Sequence, residues 1–169
     1  TMNAIVPALS VLLAVLLTTL PLGLPADATF ILPFLMVTMV FVWRALRAEM
    51  PAYAAMVFGL LTDITTGGPL GYWGLMALLA ASAGALARPL AVQRNFYLLW
   101  LAWLPCITLL ATLGWLLGSL YFFRWIDHWP FVIAASASFA LFPALLYWLR
   151  KLRSVGKLSR SAPNYGAPA

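Results

Sequence analysis

Charged side chains are almost missing from this chain. They make up 8% of its 169 residues, where soluble domains carry about 25%. So few charges cannot cover a water-facing surface. With 64% hydrophobic residues, the composition predicts an all-α integral membrane protein. Acids are the scarcest group, limited to Asp27, Glu49, Asp63 and Asp127. Only Asp63 lies within an apolar segment, which argues against aspartyl proteolysis, a reaction that takes two carboxylates sharing a proton. The single cysteine, Cys106, excludes an internal disulfide and a thiolate cluster. Inside an apolar run it reads as a small buried hydrophobe. The single histidine, His128, sits beside Asp127 in a short loop. No nucleophile motif accompanies it, and a serine hydrolase needs a base next to its nucleophile. No set of three or four ligands is present for a metal. Neither an enzymatic activity nor a cofactor nor a bound metal is expected. The net charge of +6 is read as topology-setting and lipid-facing, not as a nucleic-acid footprint.

What the chain has in plenty is apolar length. About 20 apolar residues cross a hydrocarbon core as a helix. Six segments are expected to do so, at about residues 4–22, 29–46, 52–66, 70–87, 96–122 and 129–148. Pro21, Gly23 and Pro25 stop the first, and Pro51 suits a first helical position in the third. Ala26-Asp27-Ala28 imitates a cleavage site, but no Lys or Arg precedes Arg44, so the first span is read as retained and not as a leader. Thr1 stands before Met2, the expected initiator. No internal repeat is convincing. Residues 1–150 are expected to form one membrane domain, and 151–169, polar and basic, a flexible tail.

The basic residues give a direction. With six crossings, Arg44, Arg47, Arg88, Arg94, Arg150, Lys151, Arg153, Lys157 and Arg160 fall on one face, and only Arg124 on the other. The positive-inside bias makes the first face cytoplasmic, so both termini are expected there. Trp43, Tyr97, Trp100, Tyr147 and Trp148 fall near the cytoplasmic ends. Tyr72, Trp73, Tyr121, Trp125 and Trp129 fall near the outer ends. All are expected to anchor at the interfaces as aromatic belts.

Asp63 is the anomaly in this pattern. An Asp at the centre of a membrane helix costs roughly 2.5–3.5 kcal/mol on insertion scales, so it needs an interior contact or a function. Ala55, Gly59, Asp63 and Gly67 recur every fourth residue, which lines them along one side of the third helix and lets another backbone approach. Thr62, Thr65 and Thr66 offer hydroxyls that could bond the carboxylate or the carbonyls freed at the break. Gly67-Gly68-Pro69 ends the helix, and Leu70-Gly71 opens the next. Asp63 has three competing roles: a cap on this turn, a contact in a groove for a partner or lipid, or a proton- or ion-coupling group. As a cap it should tolerate Asn, whose amide still accepts hydrogen bonds, better than Ala. Gly114 and Gly118, and Gly74, Ala77, Ala81, Gly84 and Ala85, mark further close-packing faces.

The stretch Phe58-Gly59-Leu60-Leu61-Thr62-Asp63-Ile64-Thr65-Thr66-Gly67-Gly68-Pro69-Leu70-Gly71 resembles the bacterial rod shape-determining protein family MreD. Members show a similar Gly-x-x-x-Asp, a glycine-containing turn, then Leu-Gly and a second apolar helix. Pro33 with the Trp43 region, and the basic exit Trp148-Leu149-Arg150-Lys151, are similar too, and the likeness spans about residues 5–155. Thr62 departs from the family, which often has Leu before the Asp. The resemblance implies a six-helix membrane protein of the bacterial inner membrane, related in fold to the substrate-binding component of energy-coupling-factor transporters. It also implies a non-enzymatic role in cell elongation and side-wall peptidoglycan synthesis, with an MreC-like single-span partner and a wider assembly of MreB, RodA and a class-B transpeptidase. Trp43, Gly59, Asp63, Gly67, Pro69, Leu70 and Gly71 are the expected structural or partner-contact positions. The alternative is a membrane component that binds a vitamin-like solute or a lipid, with Trp73, Tyr121, Trp125 and His128 lining an outer cavity.

Overall fold

A computed structural model describes residues 2–20, 25, 28–46, 50–92 and 96–158. Among these residues the chain is entirely helical, without strands. Seven helices follow in order: α1 Met2–Thr18, α2 Ile31–Ala45, α3 Ala52–Thr66, α4 Tyr72–Leu86, α5 Arg88–Val92, α6 Phe96–Tyr121 and α7 Trp129–Leu158. α5 occupies part of what the sequence presents as a plain loop between the fourth and fifth spans, and its Pro89 suits the start of a helix. Pro51 is extended (φ −69°, ψ 154°) and precedes α3 instead of opening it. α7 continues eight residues past the expected domain boundary at 150. Adding residues to an existing helix is easy compared with nucleating one, and Gly156 is the only breaker on the way. Residues 159–169 of the expected tail, and the Ala26-Asp27 pair, lie outside the described residues.

α6 (26 residues) and the stretch Trp129–Lys151 of α7 (23 residues) are long and apolar enough to cross a membrane. The other apolar helices are shorter, with 15 residues in each of α2, α3 and α4. That is about 22 Å of helix against a hydrocarbon core of about 30 Å.

α2 is the central post, packed against α1, α4 and α7. It buries Phe34, Met36, Val37, Val40, Phe41, Val42 and Trp43 together, as a helix apolar on every side must. Rings fill the interior at two levels. Phe34 meets Trp73 edge-on at 5.5 Å, and Phe30 stacks on Phe131 at 4.9 Å. Further along α2, Phe41 lies 4.4 Å from Trp103, which stacks on Phe142. Trp43 and Trp73 therefore correct the belt expectation. They are 1% and 2% exposed, and the Trp43 indole N–H donates to Ser10 Oγ at 2.8 Å, tying α2 to α1. Both rings are packed inside the bundle. Tyr97, Tyr121, Trp125, Trp129, Tyr147 and Trp148 are exposed.

α2 and α4 approach closely at Gly84, where a Cβ would stand 2.4 Å from Phe41 O and 2.9 Å from Arg44 Cβ. Arg44 fastens this crossing. Its Nε donates to Ala81 O (3.3 Å) and its Nη1 to Met50 O (2.7 Å), while Arg88 Nε donates to Arg44 O (3.2 Å). Gly84→Ala must push backbone away and should cost about 2 kcal/mol, within the usual range for overpacking. Gly118→Ala meets only the flexible end of Ile126 at 3.4 Å and should be neutral. Thermal unfolding of the two variants in detergent checks the contrast; equal midpoints would contradict this packing.

Candidate functional site

The most extensive helix contact in the bundle is between α3 and α4, joined by the turn at residues 67–71. Gly59 makes it possible. A Cβ there would lie 2.4 Å from Trp73 O, 2.5 Å from Gly74 Cα and 2.6 Å from Gly74 N, all rigid backbone. Ala55 and Asp63 are buried on the same side of α3. Gly67, the fourth member of the stripe, is exposed and leaves the packed face. It ends α3 in the left-handed region (φ 66°), where glycine bears no Cβ penalty.

Asp63 holds both helix ends. Its main-chain oxygen accepts from Gly67 and Gly68 N–H, closing the last turn of α3. Its carboxylate, 1% exposed, reaches across the turn to the start of α4. Oδ1 accepts from Trp73 N–H at 2.8 Å. Oδ2 accepts from Gly71 N–H at 2.8 Å and from Gly74 N–H at 3.4 Å. The first N–H groups of any helix have no partner within it. Here Tyr72 N–H finds Pro69 O (3.1 Å) and Leu75 N–H finds Gly71 O (2.8 Å), so every donor from Gly71 to Leu75 is satisfied. The N-cap residue, Gly71 (φ 93°), has no side chain to do this itself. A negative charge at a helix N-terminus is also favoured by the helix dipole.

The three threonines do not touch the carboxylate. Thr62 donates to Phe58 O, and Thr65 and Thr66 donate to Thr62 O. Thr65 Oγ1 also lies 3.1 Å from Thr18 Oγ1, linking α3 to α1.

Of the seven expected positions, the structure brings Gly59, Asp63, Gly67, Pro69 and Gly71 into this one device. Leu70 is at its tip, 77% exposed. Trp43 lies nine residues along α2 from Phe34, the α2 ring that touches Trp73, and takes no part. Trp73 and Gly74, whose amides receive the carboxylate, were not among the expected positions. A signal did exist for them. A helix start capped by glycine lacks an acceptor, and the only acid inside an apolar segment is eight residues before it.

The outer cavity expected for a ligand does not assemble from its four residues. Trp73 is in the core, Tyr121 is exposed, and Trp125 pairs with Trp115 at 5.5 Å. His128 lines a cavity between α6 and α7, and Trp125 a separate hollow beside Arg124. Among the described residues no three of His, Cys, Asp or Glu gather as metal ligands. Chemically, the site is a closed set of charge-assisted hydrogen bonds, each worth about 1.5–3 kcal/mol.

With both carboxylate oxygens engaged, Asn is not the mild change that the sequence alone implies. Its amide supplies one acceptor and turns an NH2 donor toward N–H groups. Asp63→Ala strands three N–H groups and should cost about 3 kcal/mol or more, at about 1–3 kcal/mol per buried orphan. Asp63→Asn should cost about half of that. Thermal unfolding in detergent measures both, and an Asn variant as stable as wild type would contradict the two-sided cap.

Compared with family models, with curated proteins and with solved structures, the chain finds no match.

Proposed function

We propose that this chain is a non-enzymatic membrane scaffold of the bacterial cell-elongation machinery, similar to MreD, holding an MreC-like single-span partner. The observation that carries the proposal is the state of Asp63. The segment 58–71, on which the resemblance rests, is a rigid hairpin whose acid is spent on backbone amides. A carboxylate so engaged serves architecture, and a scaffold is what needs architecture.

Six crossings of the inner membrane, with both termini in the cytoplasm, belong to the same proposal. α1 to α4 fall short of a full hydrocarbon core. Their outward side chains, Leu9, Leu13 and Leu16 on α1 and Tyr53, Val57 and Ile64 on α3, are nonetheless apolar and exposed. Water would not tolerate that surface, whereas lipid would. Among the described residues, Phe34, Phe41, Trp73 and Trp103 pack the interior, which supports a scaffold over a component that holds a vitamin-like solute at its centre.

Two measurements test the proposal. Purified from solubilised membranes, the tagged chain should bring down an MreC-like chain, and Asp63→Ala at matched protein level should lose both that partner and rod shape. A stoichiometric small solute in place of the partner would contradict the scaffold role. Reporter fusions should place both ends of the chain in the cytoplasm; ends on opposite faces would contradict the six crossings.

A further inference from the structure

α6 and α7 do not close on each other along their whole length. An indole stands near each end of the gap. Near one end Trp100 stacks on Phe139 at 5.0 Å and donates from Nε1 to Phe139 O at 3.1 Å. Near the other end Trp115 donates from Nε1 to Ile126 O at 2.8 Å, drawing the connecting loop over α6. Between these indoles the facing residues are small: Thr108, Ala111 and Thr112 on α6, Ala135 and Ser136 on α7. They line a slot of about 440 Å³. Ile107 and Phe131, both buried, contribute to its lining.

The slot is elongated. Its α6 wall runs from Leu104 to Trp115, about 16 Å at helical rise. Along that length it is a groove open on its side, where Leu104, Thr108, Thr112, Val132 and Ser136 are exposed. One extended hydrocarbon chain fits along it. The lining suits it as well. It is mostly apolar, and the Thr108 and Thr112 hydroxyls donate to Leu104 O and Thr108 O of their own helix, so they ask nothing of an occupant.

The loop end carries the polar groups. His128 lines the slot, and Arg124 lines an adjoining hollow with Ser119 and Trp125, across the Trp115–Trp125 ring pair. Asp127 accepts from Trp129 N–H at 3.2 Å and lies 3.7 Å from His128 Nδ1. Among the described residues at this end, Arg124, exposed in the adjoining hollow, supplies positive charge beside the slot.

We infer that this slot seats one acyl chain of an anionic phospholipid, with its phosphate at the Arg124 and His128 end. The inference rests on α6 and α7 lying in a bilayer, so its test must separate the two. The full-length protein is reconstituted in vesicles containing phosphatidylglycerol, or alternatively phosphatidylcholine, with a diazirine in the acyl chain. After irradiation, adducts are mapped by mass spectrometry. Residues 104–115 and 131–139 should carry several-fold more adduct from phosphatidylglycerol than the exposed leucines of α1, and more than they carry from phosphatidylcholine. Ala135→Phe and Ala111→Leu, which fill the slot from opposite walls, should each remove the excess and leave the α1 adducts unchanged. Adducts spread evenly over the apolar surface, no headgroup preference, or an excess that survives both fillings would overturn the slot while leaving the membrane assignment intact. An absence of adducts on every helix would overturn both.

Discussion

A buried carboxylate in a nearly charge-free chain is tolerable because the backbone of two helices surrounds it. Asp63 lends its main-chain oxygen to the end of α3 and its side chain to the start of α4. The start of α4 would otherwise bury unpaired N–H groups at Trp73 and Gly74, and each such group costs about as much as a lost hydrogen bond. The hairpin, the acid and the glycines therefore depend on one another. Without Gly59 the helices could not come near enough for the carboxylate to reach. Without the left-handed turns at Gly67 and Gly71 the chain could not return to meet it.

From this hairpin the rest of the bundle follows. It sets Trp73 at the head of α4, where the ring meets Phe34 of α2 and Tyr72 beside it. α4 then runs down α2 to Gly84, where Arg44 fastens the two helices. Aromatic rings fill the centre, and nonpolar side chains cover the outside. Among the described residues, the slot between α6 and α7 is one place where packing is left open, and Thr108, Ala111, Thr112, Ala135 and Ser136 contribute to its lining.

The sequence was most legible where backbone breakers spoke. α3 was expected at 52–66 and is found at Ala52–Thr66, because Pro51 and Gly67 punctuate both ends. The four-residue spacing placed Ala55, Gly59 and Asp63 on one side of it. What could not be read was anything set by contacts across the bundle. Trp43 and Trp73 looked like interface anchors because tryptophan near a helix end usually is one, yet the bundle buries both. The amides that receive Asp63 lie eight to eleven residues away, a relation that no periodicity reports. The start of α4 came two residues later than expected, since Leu70 and Gly71 serve the turn and its cap. α5 and the extension of α7 were hidden for a related reason: five residues are too few to show a period, and the polar extension carries no apolar stripe.

Amide hydrogen exchange at Gly71, Trp73 and Gly74 of the reconstituted wild-type protein tests the carboxylate cap most directly. If Asp63 holds these three N–H groups, they exchange as slowly as those in the middle of α2, although they lie at a helix start where amides ordinarily fray. Rapid exchange at Trp73, with α2 still protected, would show that no carboxylate holds the start of α4.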